Sequence, residues 1–295
     1  MSVVVVGWIL VLLGAFGLNH ARDVRHEAGA VGVQLQRTQL RAWARSGVEL
    51  ARSTLADRTA LECAVLVGPG AENPLARTQV CGEGRFCVGA RRDAAEGSTW
   101  APGLGDEAAR LPVAGADSAA LGMLPGMTRA GVARLLDARA VARSSRLPPF
   151  ALLGLDEPSL ACARRYLSRY GHAVNVNTAG PEVLRAAGLP ASAVDKILQR
   201  RLGRDGLAGT ADDRLFPDLE STGPALRECG LGSAEAAVLA YLVSAGRLAA
   251  DSRYYQVAVR GWAAGRNGIC ELRVILEKPD RDPVRVVEWS ENWLD

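Results

Sequence analysis

Apolar residues crowd the first eighteen positions and then thin out to a helical rhythm. Ser2 to Leu18 reads SVVVVGWILVLLGAFGL, without one charged side chain, and a membrane-crossing helix needs about 20 apolar residues. Polar residues then arrive together at His20, Arg22, Asp23, Arg25, His26 and Glu27, and no proline interrupts the chain before about Arg58. Leu35, Leu40, Trp43, Val48, Leu50 and Leu55 recur at helical spacing and line one side, although Gly29, Gly32 and Gly47 weaken that helix. One helix from Val3 to Asp57 would be about 80 Å long at about 1.5 Å per residue. Residues 1–21 are expected to lie in the bilayer and residues 22–58 to form a stalk, with Leu35, Leu40, Trp43 and Leu50 as its partner-binding positions. No basic stretch precedes the apolar run and no small-residue cleavage site follows it, so a cleaved signal peptide fits poorly.

Beyond the stalk the pattern changes twice. Residues 59–117 carry turn clusters such as Gly68-Pro-Gly and Gly82-Glu-Gly, which predict short strands. Thr78–Val80 and Arg85–Ala90 are expected to pair around Cys81 to Gly84. Residues 118–249 are rich in Ala and Leu with capped helical stretches. From Arg253 alternation returns in three runs, beginning Tyr254-Tyr-Gln-Val, Gly268-Ile-Cys-Glu and Val284-Arg-Val-Val, with breaks between them at 265–268 and 279–283. That is the pattern of a three-stranded antiparallel meander. Strands on both sides of a helical block define an α+β protein: a long N-terminal helix packed on an antiparallel sheet built from residues 59–117 and 250–295, with an all-helical insertion at 118–249.

The helical block repeats itself. Residues 126–139 superpose on 188–201, matching Gly126 with Gly188, Val132 with Val194, Leu135 and Leu136 with Ile197 and Leu198, and Arg139 with Arg201. Each copy is a glycine turn followed by a helix, a helix-hairpin-helix-like unit, and Phe150 or Phe216 follows it. Such hairpins bind DNA when a Gly-apolar-Gly turn offers N–H groups to a phosphate. Here the turns read Gly126-Met-Thr and Gly188-Leu-Pro; the second glycine is missing, Pro190 lacks an N–H, and the helices carry Asp137 and Asp195. Structural use is therefore favoured, with a membrane-anchored DNA receptor as the alternative.

Between Asp205 and Glu220 five acidic residues meet one Arg, a local charge of −4. Calcium binds six to eight oxygens, and glycines let a loop wrap around it. The candidate ligands are the carboxylates of Asp205, Asp212 and Asp213, the carbonyls of Leu207 and Thr210, and Glu220 in reserve. The spacing does not fit a twelve-residue EF-hand loop. Asn175-Val-Asn-Thr-Ala-Gly-Pro-Glu-Val-Leu joins the two repeats. Thr178 is placed to cap a helix, Pro181 suits its first turn, and Asn175 and Asn177 are expected to bond linker backbone.

Composition narrows the possible functions. The 295 residues hold 35 basic and 32 acidic side chains, a formal charge of +3, too balanced for a dedicated nucleic-acid binder. Cysteines 63, 81, 87, 162, 229 and 270 include no Cys-x-x-Cys pair, and His20, His26 and His172 lie far from them, which argues against zinc. In an oxidising compartment a disulfide is expected among Cys63, Cys81 and Cys87. No nucleophile constellation stands out, and His172 is read as packed beside Tyr170. No enzymatic activity is expected.

Taken together, the apolar start and stalk, Gly105-Asp-Glu-Ala-Ala-Arg-Leu-Pro-Val, Leu124-Pro-Gly-Met, Asn175-Val-Asn-Thr-Ala with Glu182-Val-Leu, and Asp251-Ser-Arg-Tyr-Tyr-Gln-Val resemble the large minor pseudopilin of type II secretion systems, the GspK class. The resemblance spans nearly the whole chain, and Asn175 to Ala179 is its most specific piece. It implies a bacterial inner-membrane protein with a single anchor, a periplasmic stalk and a periplasmic globular part. It further implies a place at the tip of the pseudopilus with I- and J-class minor pseudopilins, starting assembly for protein export, and calcium in the globular part. Two features of the first residues bear on it. No basic leader with a glycine cleavage site precedes Ser2, so the start is expected to lie inside a longer precursor or to be placed late. The apolar run also lacks the Glu near position five of other pilins, as the K class does, which suits a terminal subunit.

Overall fold

The computed structural model describes residues 2–67, 73–94, 97–142, 147–206, 212–265 and 268–294. The chain opens with α1 (Ser2–Ala56), a single unbroken helix of 55 residues, so the three glycines are tolerated within it. Among the described residues it is the one helix long and apolar enough to cross a membrane. Its second half turns Leu40, Ala44, Val48, Ala51 and Leu55 into the core, each 4% exposed or less. Those steps of three and four residues keep one face on the sheet. Lys278 Nζ closes the end of α1, donating to Leu55 O at 2.6 Å and to the carbonyl of Arg58. Thr59 and Glu62 then form a capping box that starts α2 (Ala60–Val65).

The sheet comes from both ends of the sequence. First come β1 (Gln79–Cys81), β2 (Gly84–Ala94), β3 (Gly97–Pro102) and β4 (Gly105–Asp106). The inserted block follows, with β5 (Leu111–Pro112), α3 (Ser118–Gly122), α4 (Arg129–Ala142), α5 (Glu157–Tyr166), β6 (Leu167–Ser168) and β7 (Val174–Asn175). It continues through α6 (Pro181–Ala186), α7 (Ala191–Arg201), α8 (Leu219–Glu228), α9 (Ser233–Ser244) and β8 (Leu248–Ala249). The chain then returns as β9 (Tyr254–Ala263), β10 (Ile269–Glu277) and β11 (Arg285–Leu294). The antiparallel sheet runs β1-β2-β9-β10-β11, with β3 also on β2 and β4 also on β9. Glycine makes the helix-on-sheet contact close: a Cβ on Gly84 would collide with the Trp43 ring, and one on Gly261 would lie 2.8 Å from Leu40 O.

One register detail explains how so large a block can interrupt a sheet. The chain leaves on β4 and returns on β9, and these strands pair antiparallel, Gly105 with Gln256 and Asp106 with Tyr255. Exit and re-entry are therefore neighbours, so the block hangs from the sheet as a closed excursion. Two sets of buried residues follow this division. One joins Leu40, Leu55, Tyr255, Val259, Leu272 and their neighbours under α1; the other runs from Leu111 to Ala250.

The sequence suggested an all-helical block, and the structure adds short strand pairs to it. β5 pairs with β6, and β7 with β8, in two short parallel bridges. The cysteines also depart from expectation. All six are free, with Cys63 buried and Cys81 exposed. The hairpin register sets Cys81 opposite Gly84, while Cys87 faces Arg260 of β9, so neighbouring strands do not bring the expected partners together.

Candidate functional site: the junction and the inserted block

The parallel bridges show that the duplication is larger than the two helices matched in the sequence. Among the described residues each unit starts on a short strand, passes through helices (α3 to α5 with a single 3-10 turn at Phe150–Leu152 in the first, α6 to α9 in the second), and ends on a strand that pairs back on the first. Within each unit a glycine with positive φ stands three residues before a helix, twice: Gly126 and Gly154 before α4 and α5, Gly188 and Gly230 before α7 and α9. The sequence reading found Gly126 and Gly188 but missed Gly154-Leu-Asp and Gly230-Leu-Gly. Their shared Gly-Leu step was the available signal.

The matched arginines do the same work in both units. Arg139 Nη1 donates to the carbonyls of Val113 and Ala116 at 3.1 and 2.5 Å. Arg201 Nη1 donates to Val176 O and Ala179 O at 3.1 and 2.6 Å. Each guanidinium thus fastens a helix end to the segment that opens its own unit. Burial pulls the Arg201 guanidinium down to about 10, opposed by the charges of Asp213 and Asp106, so it stays cationic at neutral pH.

The turns satisfy their own polar groups. Thr128 Oγ1 accepts from Gly131 N at 3.0 Å, and Ser159 Oγ accepts from Thr128 N at 3.1 Å, tying the first two turns together. In the second unit the Glu235 carboxylate accepts from Gly232 N at 2.9 Å, from Lys196 Nζ at 3.1 Å and from the Ser192 hydroxyl. Those bonds, the Ser192 hydroxyl first, hold the Glu235 carboxyl down to about 2. A phosphate approaching Gly230-Leu-Gly would meet a carboxylate.

Where the block meets the sheet, the Asn175-Val-Asn-Thr stretch becomes a buried latch. Asp106, at the tip of β4, accepts from Ser252 Oγ at 2.7 Å, Asn175 Nδ2 at 3.2 Å and the Thr178 hydroxyl on one oxygen, and from Ala108 N at 2.8 Å on the other. Burial pushes the Asp106 carboxyl up, and those donors pull it back. Asn177 bonds Phe216 and Ala250 backbone with both ends of its amide: Nδ2 to each carbonyl, and Oδ1 from Phe216 N, all at 2.8 Å. The three linker residues, at the start of the second unit, therefore join the sheet to its middle and its end. Thr178 is not a cap: Gly180 holds that position, and Pro181 opens α6 as expected. A second crossing ties Arg169 Nη2 and the Tyr170 hydroxyl to Glu288 of β11, Arg169 at 2.6 Å. His172 is exposed.

The remaining predicted positions fall as follows. Leu40 is 2% exposed and has no surface left for a partner, and Trp43 and Leu50 lie half-buried against the same core; Leu35 stays 59% exposed. Apolar spacing alone could not tell the sheet-facing side of α1 from a partner-facing one. In the acidic loop Leu207 and Thr210 lie outside the described residues. Asp205, Asp212 and Asp213 stand at its mouth, between Gly203 and Gly206 at positive φ on one side and Arg214 on the other. Asp212 Oδ2 accepts from Arg204 N at 2.6 Å. Glu220 is exposed in the first turn of α8. Among the described residues no three His, Cys, Asp or Glu side chains close on one point.

A long apolar helix packed on an antiparallel sheet, with a helical block between the fourth and ninth strands, is the pseudopilin fold. No protein-family model matches the chain, and no curated protein is similar to it in sequence. Among solved structures it is similar to a chain of the crystal structure of the GspK-GspI-GspJ complex from the enterotoxigenic Escherichia coli type 2 secretion system. That match has a TM-score of 0.56 and 14% identity over 89% of this chain and 99% of the other.

Proposed function

We propose that this chain is a minor pseudopilin of the GspK class. In this reading the first part of α1 holds it in the inner membrane, the rest lies in the periplasm, and it caps a pseudopilus with I- and J-class minor pseudopilins. The observation that carries the reading is the inserted block, a body with its own core hung on a pseudopilin sheet by adjacent strands β4 and β9. Such bulk blocks another subunit from stacking above it, and the latch at Asp106 keeps the block fixed to the sheet. The function is mechanical: the apolar helix anchors the subunit until filament assembly extracts it, and starting that assembly serves protein export across the outer membrane. The DNA-receptor alternative is weaker, since the turns spend their N–H groups on Thr128, Ser159 and Glu235.

Calcium belongs to the same proposal. Three carboxylates bracket one glycine-bent loop, a hard-oxygen donor set that suits the ion, which would draw the ends of that loop together.

Replacing residues 118–249 with a short Gly-Ser linker tests the cap. Secretion should fail and pseudopilus length should change. Filaments of ordinary length with secretion intact would remove the proposal.

A further inference from the structure

A row of arginines runs along α1 where it lies beside the edge strand β11. Arg41 grips Glu291 with two bonds, Nη2 to Oε1 at 2.7 Å and Nε to Oε2 at 2.8 Å. One turn to either side, Arg37 lies over the Trp293 ring at 5.4 Å from its centroid, and Arg45 over the Trp289 ring at 5.2 Å. Arg37 and Arg45 are exposed; among the described residues neither closes a contact ion pair, and Arg45 senses the Glu291 charge only from a distance, behind Arg41. They stand eight residues apart on one helix, about 12 Å at about 1.5 Å per residue. Stacking on an indole holds a guanidinium in place before a partner arrives, so less conformational entropy is lost on binding.

We infer that Arg37 and Arg45 form a two-point receptor for an acidic helix of a neighbouring protein. Carboxylates seven or eight residues apart on such a helix lie about 10.5–12 Å apart, matching the arginines. The surface favours a protein over a lipid headgroup. Arg37 is nineteen residues past Leu18, about 28 Å beyond the end of the apolar run, while headgroup layers add only about 5–8 Å to each side of the hydrocarbon. Among the described residues β11 has a strand on one side only, β10, so its outer edge leaves room for a neighbour. Since Glu291 spends both oxygens on Arg41, the flanking pair carries the charge most open to a neighbour.

The partner chemistry rests on the filament reading, and the test separates the two. The full chain is co-expressed with the small pseudopilins of its own system, and the complex is titrated in nanodiscs. Wild type should bind, more weakly as salt rises, and the double substitution Arg37→Glu/Arg45→Glu should weaken binding at least tenfold with an unchanged melting midpoint. Arg37→Lys/Arg45→Lys, which keeps charge but stacks less well, should fall between them. Wild type that fails to bind removes the filament reading. Wild type that binds while the double glutamate variant binds equally well overturns the receptor alone. So does a complex that forms only with anionic lipid, which would assign the row to a membrane surface.

Discussion

An alanine at Gly261 should loosen α1 from the sheet. β9 carries Gly261 beneath the turn of α1 from Leu40 to Ala44; a Cβ there would lie 2.8 Å from Leu40 O and Ala44 N, and 3.2 Å from Ala44 Cα. Those are backbone atoms, so no rotamer change relieves the contact, and the helix must lift by about 0.5–1 Å to reach ordinary separations. A gap of that size forfeits about a quarter to a half of each dispersion contact it opens. Leu40, Ala44 and Val48, now packed at 2%, 0% and 4% exposure, would lose contacts together. Overpacking of this kind costs about 1–3 kcal/mol. At about 2–4 °C per kcal/mol for a body this large, the midpoint should fall by roughly 2–12 °C. The six tryptophans give a selective probe, because all lie in α1 or the strands and none in the inserted block. In a thermal melt of the full chain in detergent, the fluorescence midpoint should drop. Gly29→Ala is the control: nothing lies within 4 Å of its Cβ, and helix propensity should hold or raise the midpoint. An unchanged fluorescence midpoint in Gly261→Ala would refute the close-packing argument.

Three other predictions concern the block. Asp218 Oδ1 caps α8 by accepting from Ser221 N at 2.6 Å, so Asp218→Ala should cost about 1 kcal/mol in urea unfolding followed by circular dichroism. The Glu235 carboxyl is held at about 2, below its unfolded value of about 4.3, so its contribution is present above that value and lost as pH falls from about 4.3 through 2. Protection of the Gly232 amide, taken relative to the exchange rate of an unstructured peptide at each pH, should fall across that window in wild type, and a pH-independent protection would contradict the assignment. Chelator should lower the melting midpoint, and Asp212→Asn/Asp213→Asn should abolish the difference. An unchanged midpoint in wild type would remove calcium from the account.

Much of the architecture was legible from local patterns, because β9 largely alternates, glycine and proline breaks separate the three strands of the meander, and α1 has no proline. The repeat was visible at Arg139 and Arg201, since both side chains meet the same demand: closing a unit on its first segment. What stayed hidden depends on residues far apart in sequence. Asn175 and Thr178 looked like linker residues, and only the fold brings Asp106 and Ser252 to them across 69 and 77 positions of chain. Leu40 and Leu35 looked alike as stalk positions because periodicity marks a face without saying what covers it. Gly230-Leu-Gly does not show in the repeat because the second turn of each unit sits at a different distance from the first, Gly154 after Gly126 and Gly230 after Gly188.

The central claim, that this chain is the bulky member of a small pseudopilin assembly, meets its most direct test in one mass measurement. The part of the chain after residue 21 is co-expressed with the periplasmic parts of its I- and J-class candidates, purified through a tag on one of them, and weighed by light scattering. The account predicts one stable particle containing all three in equal number. Recovery of this chain alone, with the two smaller proteins in separate fractions, would contradict it.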